Sequence, residues 1–166
     1  MPETVRTTIT LVVLAVLVAL AAVWGWNAAT DSLPAKVDRP VCVDTEVEAG
    51  DRLYPQQVTV SVYNASDRSG LAGRTMRDLE DAGFAEGRTG DAARTKVGEV
   101  AIWSTEPAGP AVRLVASYLG DVDIERREGL GPGVTVVVGK DFGRPGEGER
   151  YVEVAEAATV CGPAVD

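Results

Sequence analysis

With 166 residues, a net charge of −9 and no histidine, the chain has room for one modest domain and too much acid for bulk attraction to nucleic acid or anionic wall polymers. The missing histidine removes Ser-His-Asp, Cys-His and most zinc arrangements at once, and two cysteines alone make a poor metal site. No metal, cofactor or catalytic residue is therefore expected.

The first predicted element is a membrane helix. Thr7 to Thr30 carries no charged residue, and its run TTITLVVLAVLVALAAVWGW supplies the ~20 apolar positions that a helix needs to cross a bilayer core. Trp24 and Trp26 close it, where amphipathic rings favour the membrane interface. Arg6 opposes Glu3 on the leading flank and Lys36 and Arg39 follow the span, so the positive-inside signal is weak; the cysteine pair favours residues 1–6 inside the cell. A cleaved signal peptide ending near Ala19-Leu20-Ala21 is the alternative, against which stands a run longer than the usual ~7 to 15 residues of such a core.

Residues 31–56 mix proline, charges and isolated valines without a period and read as an extracytoplasmic stalk. Cys42 lies in this stalk and Cys161 near the end of the chain. A pair flanking a domain points to an oxidising compartment and to one bridge closing nearly the whole domain; free or intermolecular thiols are the rival reading.

A folded part follows. In Val58-Thr59-Val60-Ser61-Val62-Tyr63 the valines alternate with polar or amphipathic residues, which predicts a strand with one buried face. Asn64 to Gly70 supplies a turn. Leu71, Ala72, Thr75, Met76, Leu79 and Ala82 recur at helical spacing up to Gly83. The order then repeats: a strand around Val100 to Trp103, the turn Ser104-Thr105-Glu106-Pro107, and a helical stripe of Ala111, Val112, Leu114, Val115, Tyr118 and Leu119 up to Gly120. Shorter strands are expected at Phe84 to Arg88 and Val122 to Glu125. Val134 to Val138, the most apolar run, is expected at the sheet centre, and Gly129 to Gly133 as a tight turn. The predicted fold is α/β: a two-layer sandwich of duplicated strand-helix-strand units, with two helices on one face of a small mixed sheet, preceded by one transmembrane helix. Residues 143–166 are predicted as a tail that returns to the domain.

The segment with the most functional character is the loop Asn64 to Gly70. It leads into a helix N-terminus, whose free amides favour an anion, and Arg68, Arg74 and Arg77 lie close by in sequence. A glycan phosphate or a peptide carboxylate would dock there through Asn64, Ser66, Arg68, Gly70, Arg74 and Arg77. The structural alternative has Asn64 closing an Asx turn, Ser66 or Ser69 capping the helix, and the arginines pairing with Asp78 and Glu80. Asn64-Ala65-Ser66 also has the form of a glycosylation acceptor, a poor fit at a tight bacterial turn. Trp103, Tyr63 and Tyr118 offer either an aromatic platform for a sugar ring or core packing. The carboxylate pairs Asp78 with Asp81 and Asp121 with Asp123 are read as solvated surface rather than as an acid-base site of a hydrolase or transferase.

VTVSVYNASDRSGLAGRTMRDLEDAGF and the later VTVVVGKDF together resemble the LytR C-terminal domain of bacterial cell-envelope proteins, over about Val58 to Phe142. The arrangement of one anchor, a stalk with a cysteine and a single such domain (57–142) is similar to stand-alone actinobacterial members of the envelope integrity type. The resemblance implies a non-catalytic binding or scaffold domain that supports envelope assembly or integrity, with LytR-CpsA-Psr-type enzymes or peptidoglycan and wall glycan as partners. A catalytic LytR-CpsA-Psr domain does not fit in the 27 residues between span and first strand. The expected location is the cell membrane, single-pass, with the C-terminal domain outside.

Overall fold

The computed structural model describes residues 3–30, 41–92 and 95–164, which fall into two compact units. The first holds a single helix, α1 (Glu3–Thr30), 28 residues long. Side chains are described for Ile9 and for Leu11 to Trp24, and all of these are exposed. The Trp26 side chain and the part of the stalk from 31 to 40 lie outside the described residues. Among the described residues no helix is long and apolar enough to cross a membrane.

The second unit is built on a five-stranded mixed sheet. Its strands are β3 (Thr59–Asn64), β4 (Ala85–Asp91), β5 (Val100–Ser104), β6 (Asp123–Arg126) and β7 (Val134–Val138), in the order β4-β3-β7-β5-β6. Two helices, α2 (Leu71–Asp81) and α3 (Pro110–Leu119), each join a parallel pair: β3 to β4 and β5 to β6. The unit is thus two βαβ crossovers. β7 lies between them, parallel to β3 and antiparallel to β5. Every residue of β7 is buried, as the uninterrupted VTVVV run requires of a strand covered on both faces.

Val60, Val62, Val100, Ile102, Val134, Val136 and Val138 form one core with the apolar stripes of both helices. Period-2 and period-3.6 patterns meet there, so the two helices share one sheet face. α2 stops as its sequence suggests. Gly83 turns to φ 102, its N–H bonds Glu80 O at 2.8 Å and the Phe84 N–H bonds Leu79 O at 3.0 Å, the paired bonds of a Schellman motif.

The second face departs from the expected alternation. Thr59 and Ser61 are as buried as the valines beside them, and Trp103 is only 2% exposed. The segment from Arg127 to Gly133 lies over this face like a strap. The Ser61 hydroxyl donates to Pro132 O at 2.7 Å, the Tyr63 hydroxyl to Leu130 O at 2.7 Å, and the Leu130 N–H to Thr135 Oγ1 at 3.2 Å. The Arg127 guanidinium sits 3.7 Å from the Trp103 ring centroid. At Gly133, φ is 71° and an added Cβ would run into the Thr59 carbonyl, so only glycine brings the strap this close. Trp103 and Tyr118, the latter 9% exposed, are packing residues; they form no exposed sugar platform.

The aperiodic segment before the sheet is also structured from Cys42 onward, which corrects its reading as a stalk. β1 (Cys42–Val47) pairs antiparallel with β9 (Ala158–Pro163), and β2 (Arg52–Leu53) with β8 (Val152–Glu153). A 3-10 turn, Pro55–Gln57, leads into β3. A disulfide joins Cys42 to Cys161, with Cα atoms 5.4 Å apart and a sequence separation of 119. Val47 and Val160 carry the β1·β9 ladder into the main core. The tail before β8 lies along α3: the Tyr118 hydroxyl donates to Glu149 O at 3.0 Å, and Arg113 Nη2 to Glu153 O at 2.7 Å.

Candidate functional site

The loop after β3 is held together by its own side chains. Asn64 is buried, and its Oδ1 accepts from the Ser66 N–H at 3.0 Å and the Ser66 hydroxyl at 2.7 Å, while its Nδ2 donates to Arg68 O at 3.0 Å. This is the expected Asx turn. Capping differs from expectation: Gly70, at φ 71, is the N-cap of α2, and no side chain caps the helix. Ser66 Oγ instead accepts from the Arg68 N–H at 3.2 Å. Glycine in this position turns the chain by conformation alone, which leaves the serines free for the turn.

The arginines also differ. Arg68 Nη1 donates to Lys140 O at 3.0 Å and Phe142 O at 2.6 Å, pinning the chain beyond β7 to this loop. Arg74 Nη1 donates to Ser69 O at 3.2 Å. Arg77 is exposed on α2. Among the described residues none of the three forms an ion pair with Asp78 or Glu80. The structure therefore brings Asn64, Ser66 and Arg68 into one network, sets Gly70 and Arg74 at the helix start, and leaves Arg77 apart. The shallow concavity here is lined by Asp67 and Asp91 as well as by Asn64, Ser66 and Ser69. Two carboxylates at its wall oppose an anion.

A different concavity, of about 410 Å³, lies between the β1·β9 ladder and the start of α3. Asp44, Thr59, Ser104, Glu106 and Thr159 give it a polar lining, and Cys161 of the disulfide forms part of its wall. Sequence reasoning saw Ser104 to Pro107 only as a turn opening a helix. Asp44 and Thr159 carried no signal, because a cleft wall made by pairing the two ends of a domain has no local pattern.

With this geometry in view, residues 57–142 match the family described as LytR cell envelope-related transcriptional attenuator, over a span that runs from the 3-10 turn through β7. The chain belongs to this family. Its LytR C-terminal domain is a cell-envelope-related, non-catalytic type of domain. It comprises both βαβ units and β7, whereas β1, β2, β8, β9 and the disulfide lie outside the matched residues. Among solved structures, the chain is similar to the soluble domain of a conserved hypothetical secreted protein from Mycobacterium marinum, an Rv2700 ortholog. Identity there is 25%, coverage 62% of this chain and 80% of that one, and the TM-score 0.44. It is also similar to the C-terminal domain of RV0431, at 24% identity, with 66% and 93% covered and a TM-score of 0.33. Comparison with curated proteins gives no match.

Proposed function

We propose that this chain is a single-pass envelope protein whose LytR C-terminal domain works outside the membrane as a binding or scaffold module and not as an enzyme. Membership in an envelope-related family is the observation that carries the reading. Two features support it. The stretch Thr7 to Thr30 has no charge, and from Leu11 to Trp24 every side chain of α1 is exposed; a helix apolar on all sides belongs in lipid or in a protein core. The Cys42–Cys161 bridge suits an oxidising compartment.

The mechanism is recruitment. A domain held within stalk reach of the membrane raises its effective concentration toward membrane-bound partners by restricting the volume it explores, without new chemistry. LytR-CpsA-Psr-type enzymes are the partners that the family suggests, and wall glycan or peptidoglycan is the alternative.

The test is complementation of a deletion strain by three forms of the gene: the full chain, the domain released behind a cleavable signal, and the full chain with Asp78, Asp81, Asp121 and Asp123 changed to Asn. Restored detergent resistance with the first and third but not the second is expected. Failure of the Asp-to-Asn form, if it accumulates normally, would point to carboxylate chemistry and overturn the scaffold reading.

A further inference from the structure

We propose that the Arg127–Gly133 strap is a lid, which lifts as one unit on hinges at its two ends and uncovers a polar, aromatic sheet face while the five-stranded sheet stays intact. The device is independent of where the domain works and of what it binds.

The first observation is how the strap is attached. Gly129, Gly131 and Gly133 alternate along it, and a Cβ added to each would run into Thr135, into Ser61 and Tyr63, and into Thr59 in turn. Its glycine side therefore lies on the sheet. Leu130 is 44% exposed, and among the described residues no member of the strap joins either hydrophobic cluster. The attachment is polar instead: the Ser61 and Tyr63 hydroxyls donate to Pro132 O and Leu130 O, the Leu130 N–H donates to Thr135 Oγ1, and the Arg127 guanidinium rests on the Trp103 ring. A segment that buries so little apolar side chain opens locally far more readily than the domain unfolds.

The second observation is what closure leaves unpaired. Among the described residues, the buried side-chain polar atoms without a hydrogen-bond partner are Thr59 Oγ1 and Trp103 Nε1, and both residues belong to the face that the strap covers. Buried polar groups are otherwise almost always paired. Water reaches these two once the strap lifts, so closure carries a cost that opening removes. A face built to stay covered has no use for such groups.

The third is the hinges. The Arg127 N–H bonds Ser104 O at 3.1 Å where β6 ends, and Gly133, at φ 71, turns directly into β7. Both flanking strands pair with β5, so the ends of the strap stay fixed when its middle moves. Element-terminal residues of this kind are where lid motions are absorbed.

The experiment is native-state hydrogen exchange on the full chain, isotope-labelled and held in detergent, in a W24F/W26F background that leaves Trp103 as the sole indole. The Leu130 amide and the Trp103 indole N–H are expected to show matching protection, about a hundredfold below that of the Val136 and Val138 amides and insensitive to low denaturant, the mark of a small local opening. Y63F, which loses one strap bond, lowers protection at both reporters several-fold. G131A, whose methyl meets the Ser61 and Tyr63 hydroxyls, lowers it by about tenfold and raises acrylamide quenching of Trp103, with Val136 and Val138 unchanged. A Trp103 indole that exchanges only together with Val136 and Val138 would overturn the proposal, because the strap would then be a fixed part of the core. So would faster exchange at Leu130 without Trp103, which describes a fraying loop, or a loss of sheet protection in both variants.

Discussion

Arg68 shows how a residue with the chemistry of a ligand-binding group can serve the fold. Its guanidinium bonds two carbonyls, Lys140 O and Phe142 O, across more than seventy residues of sequence, so it ties the β3-α2 turn to the exit of β7. R68A should lower unfolding free energy by about 1 to 2 kcal/mol, as expected for charge-assisted bonds at a partly solvated site, whereas R74A, which loses one local bond to Ser69 O, should stay within about 0.5 kcal/mol. Denaturant midpoints at constant m distinguish the two. Tyr118 makes a second residue-scale case. Desolvation by burial raises its pKa above the ordinary value of 10.0, and its hydroxyl donates to Glu149 O. A phenol whose folded pKa is raised contributes stability in full below the unfolded pKa and loses it as pH rises through the folded value. Unfolding free energy should therefore fall above about pH 10 in the parent protein. Y118F should be about 1 kcal/mol less stable at neutral pH, from the lost hydrogen bond, and show a flatter alkaline limb. An identical limb in both proteins would assign that loss to other groups.

At the scale of elements, what the sequence made legible follows from where periodicity has a physical cause. β3, α2, β5, α3 and β7 each bury an apolar face or run, so valine alternation and helical stripes revealed them. β4 did not announce its length. It is an edge strand whose residues reach Asp91, with Gly87 and Gly90 where Ser61 and Tyr63 leave no room for a side chain, and such a strand needs no apolar pattern. β1 and β9 were invisible for a related reason: four consecutive residues of β1, Val43 to Glu46, face solvent, and the strand exists because its partner and the disulfide hold it. The strap over Trp103 hid the second buried face, since it covers the sheet with loop backbone and no regular element. Of the candidate site, the Asx turn at Asn64 was readable; the place of Ser66, expected as a helix cap and found within the turn, was not, nor was the fate of Arg68, whose acceptors lie in a distant segment. The ladder carries its own prediction. With the cysteines separated by 119 positions in sequence, chain entropy assigns the bridge about 5 kcal/mol; the C42S/C161S protein should lose most of that, and amide exchange should accelerate first in Val43 to Val47, with the five-stranded sheet least affected. Uniform acceleration would mean that the ladder and the sheet unfold as one.

For the whole molecule, the family-matched core and the added parts divide the work. The two βαβ units and β7 form the LytR C-terminal domain, while the terminal strands pair with each other, close the chain on itself and build one wall of the cleft. In the proposed account the anchor sets where this object acts. That task requires no histidine, and the sequence has none. The account stands or falls on the anchor, and the most direct measurement is alkaline carbonate extraction of membranes combined with protease treatment of intact spheroplasts, followed with an antibody to the domain. The account predicts that the full chain stays in the membrane pellet at high pH and that external protease removes the domain while a cytoplasmic marker survives. Release into the supernatant, or a domain protected until the cells are lysed, would contradict it.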